Sequence, residues 1–253
     1  ATIISQVVSA LLCMRHLLKA PEEYRLYFHK IRFDLPMLKQ IIANGLPAGF
    51  QNSVIALANV VVQTNINAFG KMAMAGCGAY SKIEGFGFLP VNCFTMALTT
   101  FVSQNLGAKE YERAKKGARF GILCSISIAE LIGIVIYAAA PLLISAFNSD
   151  PDVVAYGAAQ ARTVTLFYFL LAVSHCIAAI LRGSGKSAIP MVVMLCVWCI
   201  LRVTYITVTV HFIPDIRVVF WAYPLTWSIS SAIFLVLFLR GKWVYGFENT
   251  TNA

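Results

Sequence analysis

Six stretches of this chain stay apolar long enough to cross a lipid bilayer: 37–69, 76–102, 117–147, 157–181, 188–212 and 218–239. A spanning helix needs roughly 20 apolar residues, and in hydrocarbon its backbone N–H and C=O groups must be satisfied without water. The fold class that follows is all-α, a polytopic membrane bundle of six complete transmembrane helices. A seventh run, 1–14, is too short to span and shows no signal peptide, so it reads as the end of a preceding helix in a longer protein. The expected layout is that helix end over 1–18, a cytoplasmic interfacial linker over 19–36, the six-helix lobe over 37–240 and a cytoplasmic tail over 241–253.

Charge fits the same class. Charged residues make up 12% of the chain, against about 25% in a soluble domain. The formal charge of +9 does not gather on one extended face, which argues against a nucleic-acid partner. It collects in connections: Arg15, Lys19, Arg25, Lys30, Arg32 and Lys39 around the first, Lys109, Arg113, Lys115 and Lys116 within 101–117, Arg182 and Lys186 in the fifth, Arg240 and Lys242 after the last run. The alternate connections hold little beyond Lys71 and Arg217. Cytoplasmic loops beside anionic lipid carry this bias, so the basic loops and the carboxy terminus are expected in the cytoplasm. In 21–36 basic and aromatic residues interleave, as in an element lying on the inner leaflet, and a solvated linker fits equally. The seven cysteines fall in or beside apolar runs and read as small hydrophobes rather than a disulfide or metal framework.

Polar side chains inside apolar runs are costly and usually face the bundle interior or a water-filled cavity. Here they form stripes at helical spacing: Asn52, Asn59, Gln63 and Asn67 in the first run, Ser81, Glu84, Asn92, Thr95 and Thr99 in the second, Thr165, Tyr168 and His175 in the fourth, Trp198, Arg202, Tyr205 and Thr209 in the fifth. Four such faces could line one cavity, to which Gln51 and Tyr80 also belong, or they could simply join helices by hydrogen bonds. The ionisable groups are Glu84, Glu130 and His175, with Arg202 a candidate partner for either acid. A desolvated carboxyl can exchange a proton near neutral pH, which makes these three the candidates for coupling to a cation; a permanent ion pair is the structural alternative. Gly45, Pro47 and Gly49, and Gly85, Gly87 and Pro90, mark the first two runs as bendable.

No enzyme motif is present. Arg182-Gly-Ser-Gly-Lys-Ser187 resembles the end of a phosphate-binding loop, but the required first glycine is Ile180, and a tight turn is expected instead. No cofactor or metal is implied.

Five motifs, in order, carry a family resemblance: Gly45-Leu-Pro47-Ala-Gly49, Ser81-Lys-Ile-Glu84-Gly-Phe, Val102-Ser-Gln104-Asn105-Leu-Gly107-Ala with Arg113-Ala, Phe147-Asn-Ser-Asp150-Pro, and Leu181-Arg-Gly-Ser-Gly185. Together the chain resembles the carboxy-terminal half of the multidrug and toxic compound extrusion (MATE) transporters. The resemblance implies a C-lobe that needs a missing amino-terminal lobe, secondary active efflux of amphipathic, often cationic, small molecules across the plasma membrane, and exchange for protons or sodium. Sodium-coupled members carry acids in helices that match the first and fourth runs here; this chain has Gln51, Asn52 and His175 in those runs and no carboxylate. A seven-helix receptor and a self-assembling six-helix channel are the alternatives.

Overall fold

A computed structural model describes residues 2–21, 25–30, 32–240 and 243–245. Lys242 and most of the expected tail lie outside the described residues, as does part of the linker at 22–24 and 31. Two compact units divide the chain, Ala1–Ile42 and Ala43–Ala253. The first holds α1 (Thr2–Leu18), whose end is fastened by Leu26 N–H donating to the Leu17 carbonyl at 3.2 Å, and a 3₁₀ turn at Phe28–Lys30. The boundary falls within α2 (Leu35–Asn67), after which come α3 (Lys71–Gly107), α4 (Tyr111–Ser145), α5 (Pro151–Val164), α6 (Tyr168–Gly183), α7 (Ala188–Met194), α8 (Arg202–Phe212) and α9 (Ile216–Leu239).

α5 and α6 join through a 3₁₀ turn, Thr165–Phe167, into one span; α7 and α8 join through a π-helical stretch, Leu195–Leu201, into another. With α2, α3, α4 and α9 they make six helices, among the described residues, that are long and apolar enough to cross a membrane. Packing follows membrane logic. The buried stripe of α4 is mostly small (Ala114, Ala118, Gly121, Ser125, Ala129, Gly133, Ala140), with Ile136 and Ile144 its two large members, while Phe120, Leu123, Leu131 and Leu142 are exposed. Lipid is as apolar as leucine, so close backbone approach rather than burial of bulk draws such helices together. A Cβ on Gly76 would meet the Val153 carbonyl, and one on Gly157 the Gly76 carbonyl, which is how α3 and α5 come into contact.

Helix ends explain two motifs. Asp150 caps α5, its Oδ1 accepting from Asp152 N–H at 2.9 Å, with Pro151 in the first turn where no donor is needed. The basic loop is tighter than expected: α3 runs to Gly107 and α4 starts at Tyr111, so Gln104 and Asn105 lie in the last turn of one and Arg113 in the first turn of the other. Gly107 is helical, and the positive φ (60°) that makes the turn belongs to Lys109. Lys109 N–H donates to Leu106 O (3.0 Å) and Glu110 N–H to Asn105 O (2.8 Å), closing the helix in a Schellman pattern. The end of α6 repeats it, with Gly185 at φ 79° and Lys186 N–H on Leu181 O at 2.9 Å. Arg182–Ser187 is thus a helix end followed by a tight turn, as the missing first glycine indicated.

The interruptions fall elsewhere than expected. Helices α2 and α3 run unbroken past Pro47 and Pro90, and the breaks lie in the later spans, where neither Thr165–Phe167 nor Leu195–Leu201 contains Pro or Gly. The first break is imposed from outside. Gly133 of α4 lets the Thr165 carbonyl approach so closely that a Cβ would collide with it, and one turn earlier Glu130 Oε2 accepts the Phe169 N–H at 3.2 Å. That N–H belongs to the first turn of α6, where helical donors have no partner of their own.

The cysteines divide: Cys77, Cys176 and Cys199 are buried, Cys124 is partly buried, Cys13, Cys93 and Cys196 are exposed, and all seven are free thiols. The buried-hydrophobe expectation holds for the first three; in a bilayer an exposed apolar thiol meets lipid and costs little.

Candidate functional site

A cavity of about 590 Å³ opens within the second unit. α2 contributes Gln51, Asn52, Asn59 and Gln63; α3 contributes Ser81, Glu84, Phe88, Asn92 and Thr95. His175 and Arg182 come from α6, Met194 from α7, Trp198 from the π-helical stretch, Arg202 from α8, and Tyr223 and Trp227 from α9. The helical spacing that aligned these side chains on each run thus brings them to one space.

Glu84 sits on the α3 wall. Tyr80 Oη, one turn earlier, donates to Glu84 Oε1 at 3.4 Å and lies 3.1 Å from Tyr168 Oη, so a short hydroxyl chain leads from the buried Tyr168 to the carboxylate. Lys82 is exposed and stands off the lining, as a residue two positions away on a helix should.

Arg202 is buried at 3% exposure, and its anchoring is specific. Its Nε and Nη2 donate to Thr226 Oγ1 at 3.2 and 2.7 Å, and Thr226 in turn donates to the Ala222 carbonyl at 2.8 Å. The guanidinium carbon lies 5.0 Å from the Trp198 ring centre and 4.7 Å from that of Tyr223, within cation–π range of both. Arg202 and Glu84 both line the cavity, but among the described residues they form no ion pair.

Behind this wall Trp198 Nε1 donates to Ser230 Oγ at 3.2 Å, and Ser174 Oγ bonds Ser230 and Ser231 at 2.9 and 2.8 Å, tying α6 to α9. His175 packs edgewise on Trp198 (ring centres 5.4 Å apart) and Phe88 (6.3 Å), and its buried Nε2 has no hydrogen-bond partner among the described residues. Gln51 is buried with Nε2 2.7 Å from Met194 Sδ.

Several candidates lie outside the lining. Asn67 accepts from Gln63 Nε2 at 2.9 Å one turn beyond it. Tyr80 and Tyr168 are core residues that reach the cavity only through Glu84. Tyr205 packs on the cluster of Val62, Ile66 and Phe220. Glu130 caps α6 from α4 and is no partner of Arg202. Gln104, Asn105, Gly107 and Arg113 belong to the loop end. The sequence reading missed α9: Tyr223 and Trp227 on the wall, with Thr226 and Ser230 behind them, recur at three- and four-residue spacing, the signal that was applied to other runs. Among the described residues no group of three His, Cys, Asp or Glu side chains is placed to hold a metal ion.

The family model MatE matches residues 47–208. The probable multidrug resistance protein YoeA of Bacillus subtilis is 26% identical over 238 residues, 91% of this chain and 50% of its own length. The probable multidrug resistance protein NorM of Thermotoga maritima is 26% identical over 254 residues, 96% of this chain and 52% of its own. The chain thus spans about half the length of the curated relatives it matches. Among solved structures, a MATE protein in complex with MaL6 superposes with a TM-score of 0.87 at 19% identity, over 96% of this chain and 56% of that one. The outward-facing conformation of a multidrug resistance MATE family transporter of the MOP superfamily gives 0.87 at 20%, over 96% and 55%. These likenesses bear on the fold.

Proposed function

The chain belongs to the MatE family, and on that premise we propose that it forms the C-lobe of a secondary active transporter, not an enzyme, that exports amphipathic small molecules across the plasma membrane in exchange for protons or sodium. The observation that carries this reading is the cavity: five of the six membrane-length spans bring amide, hydroxyl and aromatic groups around Glu84. Pockets that take small molecules are usually apolar with a few convergent polar groups; this one keeps an aromatic wall but is richer in polar groups, as suits a water-filled path through a membrane.

Glu84 is the first choice for the coupling cation, because it is the cavity's carboxylate and a hydroxyl chain runs to it. Glu130 and His175 remain secondary candidates; Glu130 stands off the cavity and His175 within it. Alternating access rocks one bundle against another around a central site, so a second, amino-terminal lobe is the expected partner. The basic loop ends and the carboxy terminus face the cytoplasm in this reading, and the receptor and channel alternatives gain no observation of their own.

The test is Glu84→Gln in the complete two-lobe transporter, expressed in an efflux-deficient host. Efflux of amphipathic dyes is expected to fall to background while the amount in the membrane stays normal. Unchanged efflux would remove Glu84 from the mechanism.

A further inference from the structure

We propose that the cavity selects an organic anion: an aromatic body against the packed rings of His175, Phe88 and Trp198, with one carboxylate, sulfonate or phosphate group at Arg182. This rests on the cavity being the transport site and adds the sign of the substrate's charge, which departs from the cationic molecules that the family resemblance implies. The lining holds two guanidinium groups, Arg182 and Arg202, against one carboxylate, Glu84.

Arg202 is already engaged, with two N–H groups on Thr226 and aromatic rings of Trp198 and Tyr223 beside it. Arg182 is not. Among the described residues its guanidinium has neither a carboxylate nor a hydrogen-bond acceptor. It lines this cavity and also a second one of about 330 Å³ bounded by Thr95, Thr99 and Thr100, so it stands where the two spaces meet.

Glu84 is too distant to neutralise it. Gly183 packs on the Thr99 backbone, and Thr99 Oγ1 donates to Ala179 O at 3.3 Å, which sets Arg182 level with Thr99 on α3. Glu84 to Thr99 is roughly 22 Å of helix at ~1.5 Å per residue. A planar, permanently charged fork with no protein partner matches a carboxylate or phosphate bidentately, and a cation placed there would meet net repulsion.

The body of the ligand also has a place. His175 lies two turns before Arg182 on the same helix face, roughly 10 Å along the axis. Between Phe88 and Trp198 it presents a ring nitrogen without a hydrogen-bond partner. An aromatic acid about 10 Å long fits the interval, its ring among the aromatic side chains and its charge on the guanidinium. Glu84, at the far end, stays free for the coupling ion.

The experiment is calorimetric titration of the complete two-lobe transporter in nanodiscs with a matched pair, 2-naphthoate and 2-naphthylmethylammonium, with empty nanodiscs subtracted. Naphthoate is expected to bind at least about ten-fold tighter than the ammonium probe. Arg182→Gln is expected to weaken naphthoate by about ten-fold, with Arg182→Lys retaining part of the affinity. Lys82→Gln, which removes the same charge from an outward face, is expected to change nothing. The preference of the unmutated chain decides the matter even if Arg182→Gln does not fold. Tighter binding of the ammonium probe, or equal loss from Lys82→Gln, overturns the anion inference and leaves the transporter reading intact; no saturable binding of either probe overturns both.

Discussion

The Arg202–Thr226 contact gives the sharpest test of how this lobe is built. Thr226 is fully buried, and its Oγ1 accepts both N–H groups that Arg202 directs at α9. Thr226→Val keeps the shape and removes the acceptor. Stranding a fully buried charge costs about 3–5 kcal/mol, whereas a typical hydrogen bond between membrane helices contributes only ~0.6 kcal/mol. The structure places this case between the two. The faces of Trp198 and Tyr223 stay in place, a contribution of about 0.5–2 kcal/mol, and the cavity gives the guanidinium a route to water. A loss of about 2 kcal/mol follows, set by the charged hydrogen bonds at roughly 1.5–3 kcal/mol. Mixed-micelle denaturation of Thr226→Val, Thr226→Ser, Arg202→Met and the double variants would measure it. Serine keeps the hydroxyl and loses one methyl, so it should cost under about 1 kcal/mol. If serine and valine destabilise equally, or if valine and methionine effects simply add, packing rather than the hydrogen bond holds the pair and the reasoning fails.

Three further outcomes are expected. Gly133→Ala drives a Cβ into the Thr165 carbonyl and should destabilise the lobe by about 1–3 kcal/mol in the same denaturation assay, since backbone cannot step aside as a flexible side chain can. Glu130→Leu removes the acceptor of the Phe169 N–H, so hydrogen exchange at Phe169 should speed up with a loss of about 1 kcal/mol, while Glu130→Gln, which keeps a carbonyl oxygen, should restore most of the protection. Single cysteines at Ser103 and Ser149, in a background without the native cysteines, should react with an impermeant reagent from opposite sides of the membrane; labelling from one side would contradict the count of spans between them.

The spans themselves were legible because length and hydropathy alone decide them, and each of the six apolar runs became one membrane-length helix or helix pair. Polar periodicity was legible for the same reason. Gln51, Asn52, Asn59, Gln63, Glu84, Asn92, His175 and Arg202 stand at one cavity because each helix can present only one face to it. What the sequence hid was set between helices. The break at Thr165–Phe167 has no local breaker; Gly133 and Glu130 on α4 create it, and neither is near it in sequence. Conversely Pro90, the obvious breaker, sits inside a continuous α3, because a helix loses only one donor there and lipid offers the freed carbonyl no better partner than its own helix. Arg182 was assigned to a connection by its charge, yet the helix carries it one turn further, to the cavity wall.

The wall facing α9 shows how such a site is oriented where burial gives little guidance. A helix whose whole surface is apolar can rotate about its axis at small cost in lipid, since no face is favoured over another. Here Trp198 bonds Ser230 and Arg202 bonds Thr226: four residues forward on one span meet four residues back on the other. That is the register of two antiparallel helices in contact, repeated over one turn. Turning the fifth-run helix would break both bonds at once and carry a guanidinium into hydrocarbon, so the rotation is fixed by polar contacts rather than by apolar packing. Ser230 also bonds Ser174, the neighbour of His175, which extends the same constraint to the face of α6 that reaches the cavity. The polar residues that line the cavity are thereby held from behind by a second set, and α9, which places only Tyr223 and Trp227 on the wall, sets the orientation of the helices that supply Trp198, Arg202 and His175.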